Sequence, residues 1–232
     1  MARDLPIGCA GNGVVHNDQE TPDIDTRFRM VKEAGVFDYF DKSPLMGEVD
    51  LYRAASARHG VPIRATGWYY VLGRDEPLLE WNLRVSAQLG ALVHNAQIMT
   101  EKLDGTPATD QEVADSYLWA YDIGKRLGVD PCFEVHINMW SEHFSRVEPV
   151  ARLVESRGVP FNMTLDHSHV IFKMDNPAEQ AVQGMKAEID AGRLVLDPGL
   201  PDHVCGRWIE AGGFRVGASA GSVGDSHAAG GS

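Results

Sequence analysis

The chain has 232 residues, 44% of them hydrophobic and 23% charged, enough apolar material for one substantial core and no demand for a second domain. Its 33 acidic and 21 basic side chains leave a formal charge of −12, a field that repels phosphate backbones and anionic lipid, so neither nucleic acid nor a membrane is expected as a partner and a neutral polyol or a cation fits better. Cys9, Cys132 and Cys205 form no CxxC pair, no basic-then-apolar leader opens the chain, and nowhere do about 18 apolar residues stand together, so a cytoplasmic protein without disulfides or membrane spans is expected.

Taken in order, the apolar stretch Ile7 to Val15 reads as a first strand and the polar break through Asp25 as its loop, followed by a helix from Thr26 that stops at Gly35. Val36–Phe40 is a second strand, and Val49–Arg58 a helix closed by Gly60. Val61–Leu72 and Ala91–Met99 are the third and fourth strands, separated by a helix over Pro77–Leu89. A long helix over Asp110–Leu127 carries Val113, Tyr117, Ala120, Tyr121 and Ile123 near one stripe. Cys132–Met139 is the fifth strand, Val147–Ser156 a helix, and Val159–Leu165 the sixth strand. This strand-helix succession with Gly stops is the pattern of parallel βαβ units. Further helices are expected at Pro177–Ala191 and Asp202–Ala211, and a seventh strand from Phe214 to Val216. In the last 16 residues, 13 are Gly, Ala or Ser, so 217–232 is expected to be a disordered tail behind a single domain over 1–216.

Chemistry in parallel α/β barrels collects at the C-terminal ends of strands. Three such ends carry polar side chains: His94, Asn95 and Gln97 on the fourth, Glu134, His136 and Asn138 on the fifth, and Asp166-His167-Ser168-His169 after the sixth. Alternation puts Glu134, His136 and Asn138 on one face of an extended strand. Two buried carboxylates on adjacent strands repel each other unless a cation lies between them, and carboxylate with imidazole suits Mn²⁺, Mg²⁺, Co²⁺ or Zn²⁺. The plainer alternatives are a salt-bridged Glu134, a helix-capping Asp166 and a core His136. Trp68, with Tyr69 and Tyr70, offers either an apolar platform for a sugar ring or ordinary packing.

FEVHIN at 133–138 and LDHSH at 165–169, a Glu followed by Asp-x-x-His, resemble the sugar isomerase and epimerase superfamily of xylose isomerase and D-tagatose 3-epimerase. The resemblance implies a (β/α)₈ TIM barrel and a divalent metal, manganese in first place, held by Glu134 and Asp166. It further implies that Glu134 moves a proton at the carbon next to a carbonyl and that His169 touches a substrate oxygen, with His136, His94 and Trp68 as candidate substrate contacts. A sugar or sugar derivative is the expected ligand and a homo-oligomer the expected assembly.

The family completes its site with a His on the seventh strand and a Glu on the eighth, and neither is matched here. The expectation is therefore an incomplete barrel, from a truncated or frame-shifted chain. Two other functions fit the same residues: a lyase acting on oxidised (3-keto) glycosides, and an inactive barrel fragment that binds a partner.

Overall fold

A computed structural model of the chain describes residues 6–14, 21–142, 144–166 and 169, together with the backbone of three two-residue strands further on. Six strands, β1 (Gly8–Ala10), β2 (Tyr39–Asp41), β3 (Ile63–Tyr70), β4 (Val93–Ile98), β5 (Asp130–Val135) and β6 (Met163–Leu165), alternate with five helices. The helices are α1 (Ile24–Ala34), α2 (Val49–His59), α3 (Glu76–Leu89), α4 (Asp110–Leu127) and α5 (Val147–Glu155). The strands pair in parallel in chain order.

Beyond them, β7 (Leu194–Val195) and β8 (Arg207–Trp208) form a separate antiparallel pair, and β9 (Val216–Gly217) lies parallel to β6. Among the described residues β1 and β9 do not pair, so the sheet curves without closing, as an incomplete TIM-type α/β barrel. No described helix is long and apolar enough to cross a membrane.

Local chemistry explains the boundaries. The Asp23 carboxylate caps α1 by accepting the Thr26 N–H at 2.7 Å, so this helix begins two residues before the expected Thr26. Thr109 and Glu112 form a reciprocal capping box at the start of α4. At the other ends, Gly60 and Gly90 sit at φ of 64° and 78°, the left-handed conformation that lets each helix turn straight into the next strand.

Two apolar clusters fill the space between sheet and helices. One packs Leu79 and Leu83 of α3, Val113 and Tyr117 of α4, and Val150 and Val154 of α5 against Ala96, Ile98 and Phe133. Tyr117 also joins layers through its hydroxyl, which donates to the Pro160 carbonyl at 2.9 Å and accepts the Asn162 N–H at 2.7 Å. The second cluster holds Phe28, Phe40, Tyr52 and Ile63, with the Phe28 and Phe40 rings 4.5 Å apart.

Three expectations need correction. The fifth strand ends at Val135, not Met139: the Ser141 hydroxyl donates to the Glu134 carbonyl at 2.6 Å and accepts the His136 N–H at 3.1 Å, satisfying groups that would otherwise continue the ladder. Asn138 then takes φ of 63° in the turn, so the run Ile137-Asn138-Met139 alternates in sequence without being extended. The first strand likewise stops at Ala10, where Gly11–Gly13 forms a single 3₁₀ turn.

The helix expected over Asp202–Ala211 contains β8 instead, in keeping with the β preference of Trp208. The helix expected at Pro177–Ala191 lies outside the described residues. So does the tail expected at 217–232, except that Gly217 belongs to β9.

Candidate functional site

The register of the strands decides which side chains share the inner face of the half-barrel. Gly67 pairs with Asn95, Tyr69 with Gln97, and Glu134 with Thr164, all on the face opposite the helix-side core residues Ala96 and Phe133. On that face the Asn95 amide donates to Oε2 of Glu134, and the Gln97 amide donates to the same oxygen at 2.7 Å. Among the described residues no hydrogen bond reaches Oε1. Gly67 makes room for this arrangement, because a Cβ there would lie 3.0 Å from both Cβ and the carbonyl oxygen of Asn95.

Glu134 is 2% exposed and Asp166, which follows β6 directly, is also 2% exposed. His169 is 6% exposed, its ring centroid is 3.7 Å from that of His136, and its Nε2 is 3.5 Å from Oδ2 of Asp166. Glu134, His136 and His169 each offer a ligand atom, all within 4.8 Å of one another.

The electrostatics of this cluster are strained without a positive partner. Burial pushes the Glu134 carboxyl above its usual range, opposed by the hydrogen bonds from Gln97 and Asn95, while the charge of Asp166 pushes it further up. Burial, together with neighbouring His136, pushes His169 below the usual imidazole range, so the ring is neutral near pH 7. Among the described residues neither nitrogen of the buried His169 ring has a hydrogen-bond partner. A buried imidazole without acceptor or donor is costly, and a cation would supply what the described residues do not. The donor set of one carboxylate and two imidazoles, Glu134, His136 and His169, therefore fits a divalent metal.

The residues singled out in the sequence separate into two groups. Glu134, His136, Asp166 and His169 come together at one end of the sheet. His94 does not. It faces the helix layer at 0% exposure, with Nδ1 at 2.8 Å from the Thr66 hydroxyl and Nε2 at 2.7 Å from the Tyr70 hydroxyl, so the expected substrate contact is corrected to a core histidine. Parity along β3 places Trp68 with Thr66 and Tyr70, and it packs against the helix-side core while stacking on Tyr69 at 5.3 Å. Tyr69, 47% exposed and paired with Gln97, is the aromatic on the inner face, which corrects the expectation for Trp68.

Asp41 was not anticipated. It ends β2, and burial followed by the charge of Glu134 pushes its carboxyl up to about 6. The only signal in the sequence is an acid closing the short run Tyr39-Phe40-Asp41.

No family model matches this sequence, and no curated protein is found similar to it. Solved structures do match. The 3-keto-D-glucoside 4-epimerase YcjR from E. coli is 19% identical with a TM-score of 0.56, over 86% of this chain and 84% of that one. D-allulose 3-epimerase from Methylomonas sp., in complex with D-allulose, is 15% identical with a TM-score of 0.59, over 85% of this chain and 76% of that one. An IolI protein with a bound zinc atom is 15% identical with a TM-score of 0.51, over 71% of this chain and 64% of that one. A xylose isomerase domain protein from Salmonella typhimurium LT2 is 14% identical with a TM-score of 0.54, over 71% of this chain, which spans 61% of that protein's length. With sugar epimerases and xylose isomerase domains as its structural neighbours, this chain has the fold of the xylose isomerase-like TIM barrels.

Proposed function

We propose that the protein is a divalent-metal-dependent isomerase or epimerase of a sugar or sugar derivative, working by proton transfer at a carbon next to a carbonyl. The observation that carries this reading is the buried Glu134 carboxylate, fixed by Asn95 and Gln97 beside the imidazoles of His136 and His169. Glu134 would hold the cation, with Asp166 close enough to act on it electrostatically. A bound divalent ion supplies Lewis acidity, steadying negative charge that develops on substrate oxygens.

The chain's own groups do the rest. The two amides hold Glu134 in one orientation, and burial raises the affinity of its carboxylate for a proton, which suits a group that removes one from carbon. His169, at the same end of the sheet, would touch a substrate oxygen. Tyr69, exposed on the inner face, offers an apolar surface to the carbon face of a sugar ring. The fold neighbours support the same chemistry: inverting C3 of a 2-ketose and inverting C4 of a 3-keto glycoside both exchange a proton beside a carbonyl.

Incubation with D-allulose, D-fructose or a 3-keto glucoside in deuterated water, with divalent metal present, tests the proposal. Solvent deuterium should enter the carbon next to the carbonyl, and Glu134→Gln should stop it. Absence of exchange with every such sugar would overturn the reading. A lyase acting on 3-keto glycosides is the second reading, favoured by the likeness to a 3-keto-D-glucoside epimerase; it predicts release of the aglycone in the same incubation.

A further inference from the structure

We infer that the protein has a second binding site, a cleft in its helix layer that takes a small organic cation with an apolar body. The site is independent of the function proposed above, because the cleft lies against α4, on the opposite side of the sheet from Glu134.

Three pieces of chain build it. Glu112, Ser116 and Trp119 recur at helical spacing with Asp115 beside them, so α4 presents them on one face. Facing them are Leu72, just past β3, and Glu76, the first residue of α3. The turn beyond β4 closes the cleft as a fixed wall: the Leu103 N–H donates to the Leu72 carbonyl at 3.0 Å, the Lys102 N–H donates to the Thr106 carbonyl at 2.9 Å, and the Lys102 ammonium donates to Glu112 at 2.7 Å. The walls enclose about 730 Å³, within the range of small-molecule sites.

The lining selects the ligand. Leu72, Leu103 and Trp119 supply apolar surface, with Leu103 61% and Trp119 36% exposed. Four carboxylates, Glu76, Asp104, Glu112 and Asp115, face one ammonium, Lys102, which Glu112 already holds. The neighbouring Arg74 is held by Asp75 at 2.7 and 2.8 Å. Among the described residues, Glu76 and Asp115 accept only from neutral donors, the Gly73 N–H at 2.6 Å and the Gln111 amide at 2.9 Å.

A neutral ligand leaves those charges uncompensated, and an anion is repelled. A cation is attracted both by the carboxylates and by the negative face of the indole, while its hydrocarbon part covers Leu72 and Leu103. The buried Ser116 hydroxyl, without a hydrogen-bond partner among the described residues, is an acceptor left open for an N–H of the ligand.

Three ligands of similar shape separate charge from apolar contact: hexylammonium, 1-hexanol and hexanoate. Each is titrated into the full isotope-labelled chain while NMR follows the Trp119 indole N–H, identified by its loss in Trp119→Leu. Hexylammonium should shift this signal to saturation as a one-to-one complex. Hexanol should bind roughly tenfold more weakly or worse, having neither ion pair nor cation–π contact, and hexanoate should not bind. Asp115→Asn and Glu76→Gln should each weaken hexylammonium about two- to fivefold, the effect of one exposed ion pair.

Equal affinity for hexanol, shifts that fail to saturate, or undiminished binding in the Glu76→Gln/Asp115→Asn double variant would overturn the inference. A Trp119 signal that moves with protein concentration alone would overturn it too, assigning the cleft to a second copy of the chain. The three ligands are compared in the unmutated protein, so a variant that fails to fold does not decide the matter.

Discussion

At the residue scale, His94 shows how a polar side chain in a core can be fully accounted for. The Asn82 amide donates to the Tyr70 hydroxyl at 2.7 Å, so that hydroxyl's own proton is free to donate to Nε2 of His94. Nδ1 then bears the ring proton and donates to Thr66, Thr66 donates to Ser86 at 2.6 Å, and Ser86 closes the circuit on the Asn82 carbonyl at 2.7 Å. Every member is satisfied only while the ring is neutral, and burial holds its pKa down at about 3. The unfolded chain, whose histidine titrates near 6.5, binds more protons between those values, so stability is fully present above pH 6.5 and lost as pH falls through that window. The loss from this residue alone approaches about 1.4 kcal/mol per pH unit. Urea unfolding between pH 7 and pH 4 should be steeper in pH for the native chain than for His94→Gln; equal slopes would show that the ring is not held neutral.

The hydrogen bonds on Glu134 act in the other direction, lowering a pKa that burial raises. A cation binds the deprotonated carboxylate. Gln97→Leu removes one donor, so the acid limb of the cation-binding curve should move to higher pH. A hydrogen bond to a charged acceptor is worth about 1.5 kcal/mol or more, which corresponds to roughly tenfold weaker binding at neutral pH. Unchanged affinity across pH in this variant would remove Gln97 from the site.

At the element scale, β3 and β4 bring the site together through a missing side chain. Gly67 lets the Asn95 side chain lie across β3 and reach Glu134, and an added methyl 3.0 Å from the Asn95 backbone cannot be absorbed by a rotamer change. Gly67→Ala should cost about 1–3 kcal/mol in thermal unfolding and weaken cation binding as well; loss of stability with intact binding would mean that β3 shifts rather than Asn95.

This level also separates what the sequence could convey from what it could not. The helices and the strand order are legible, because glycines such as Gly60 and Gly90 mark the stops and the apolar stripe of α4 has a clear period. Glu134, His136, Asp166 and His169 are legible because ionisable residues at the ends of apolar strands have few other uses. The facing of β4 is not. His94 and Asn95 are both polar neighbours, and only pairing with β3 and β5 decides which points inward. Asp41 is hidden for a similar reason, since a three-residue strand has no period and Asp38 is an equal candidate in the same run. The end of β5 depends on one hydroxyl, Ser141, whose role is invisible in the pattern of apolar residues.

At the scale of the whole molecule, the site and the stability of the fold are coupled. The strands that carry the cluster, β4 to β6, are also the strands packed by α3, α4 and α5, so anything that pulls Glu134, His136 and His169 together braces the larger of the two cores. A chain with a formal charge of −12 gains further from a cation placed among its buried acids. Binding only to the folded state adds about 2.7 kcal/mol when free metal is a hundredfold above its dissociation constant. For a domain of this size each kcal/mol moves the melting temperature by about 2–4 °C, so the expected rise is on the order of 5–10 °C. Differential scanning calorimetry with Zn²⁺ or Co²⁺, before and after chelation, should show that shift appear and reverse. Glu134→Gln should melt at one temperature in both conditions, because the apo and metal-loaded protein would then be the same species; a metal-dependent rise that survives this substitution would place the cation elsewhere on the acidic surface.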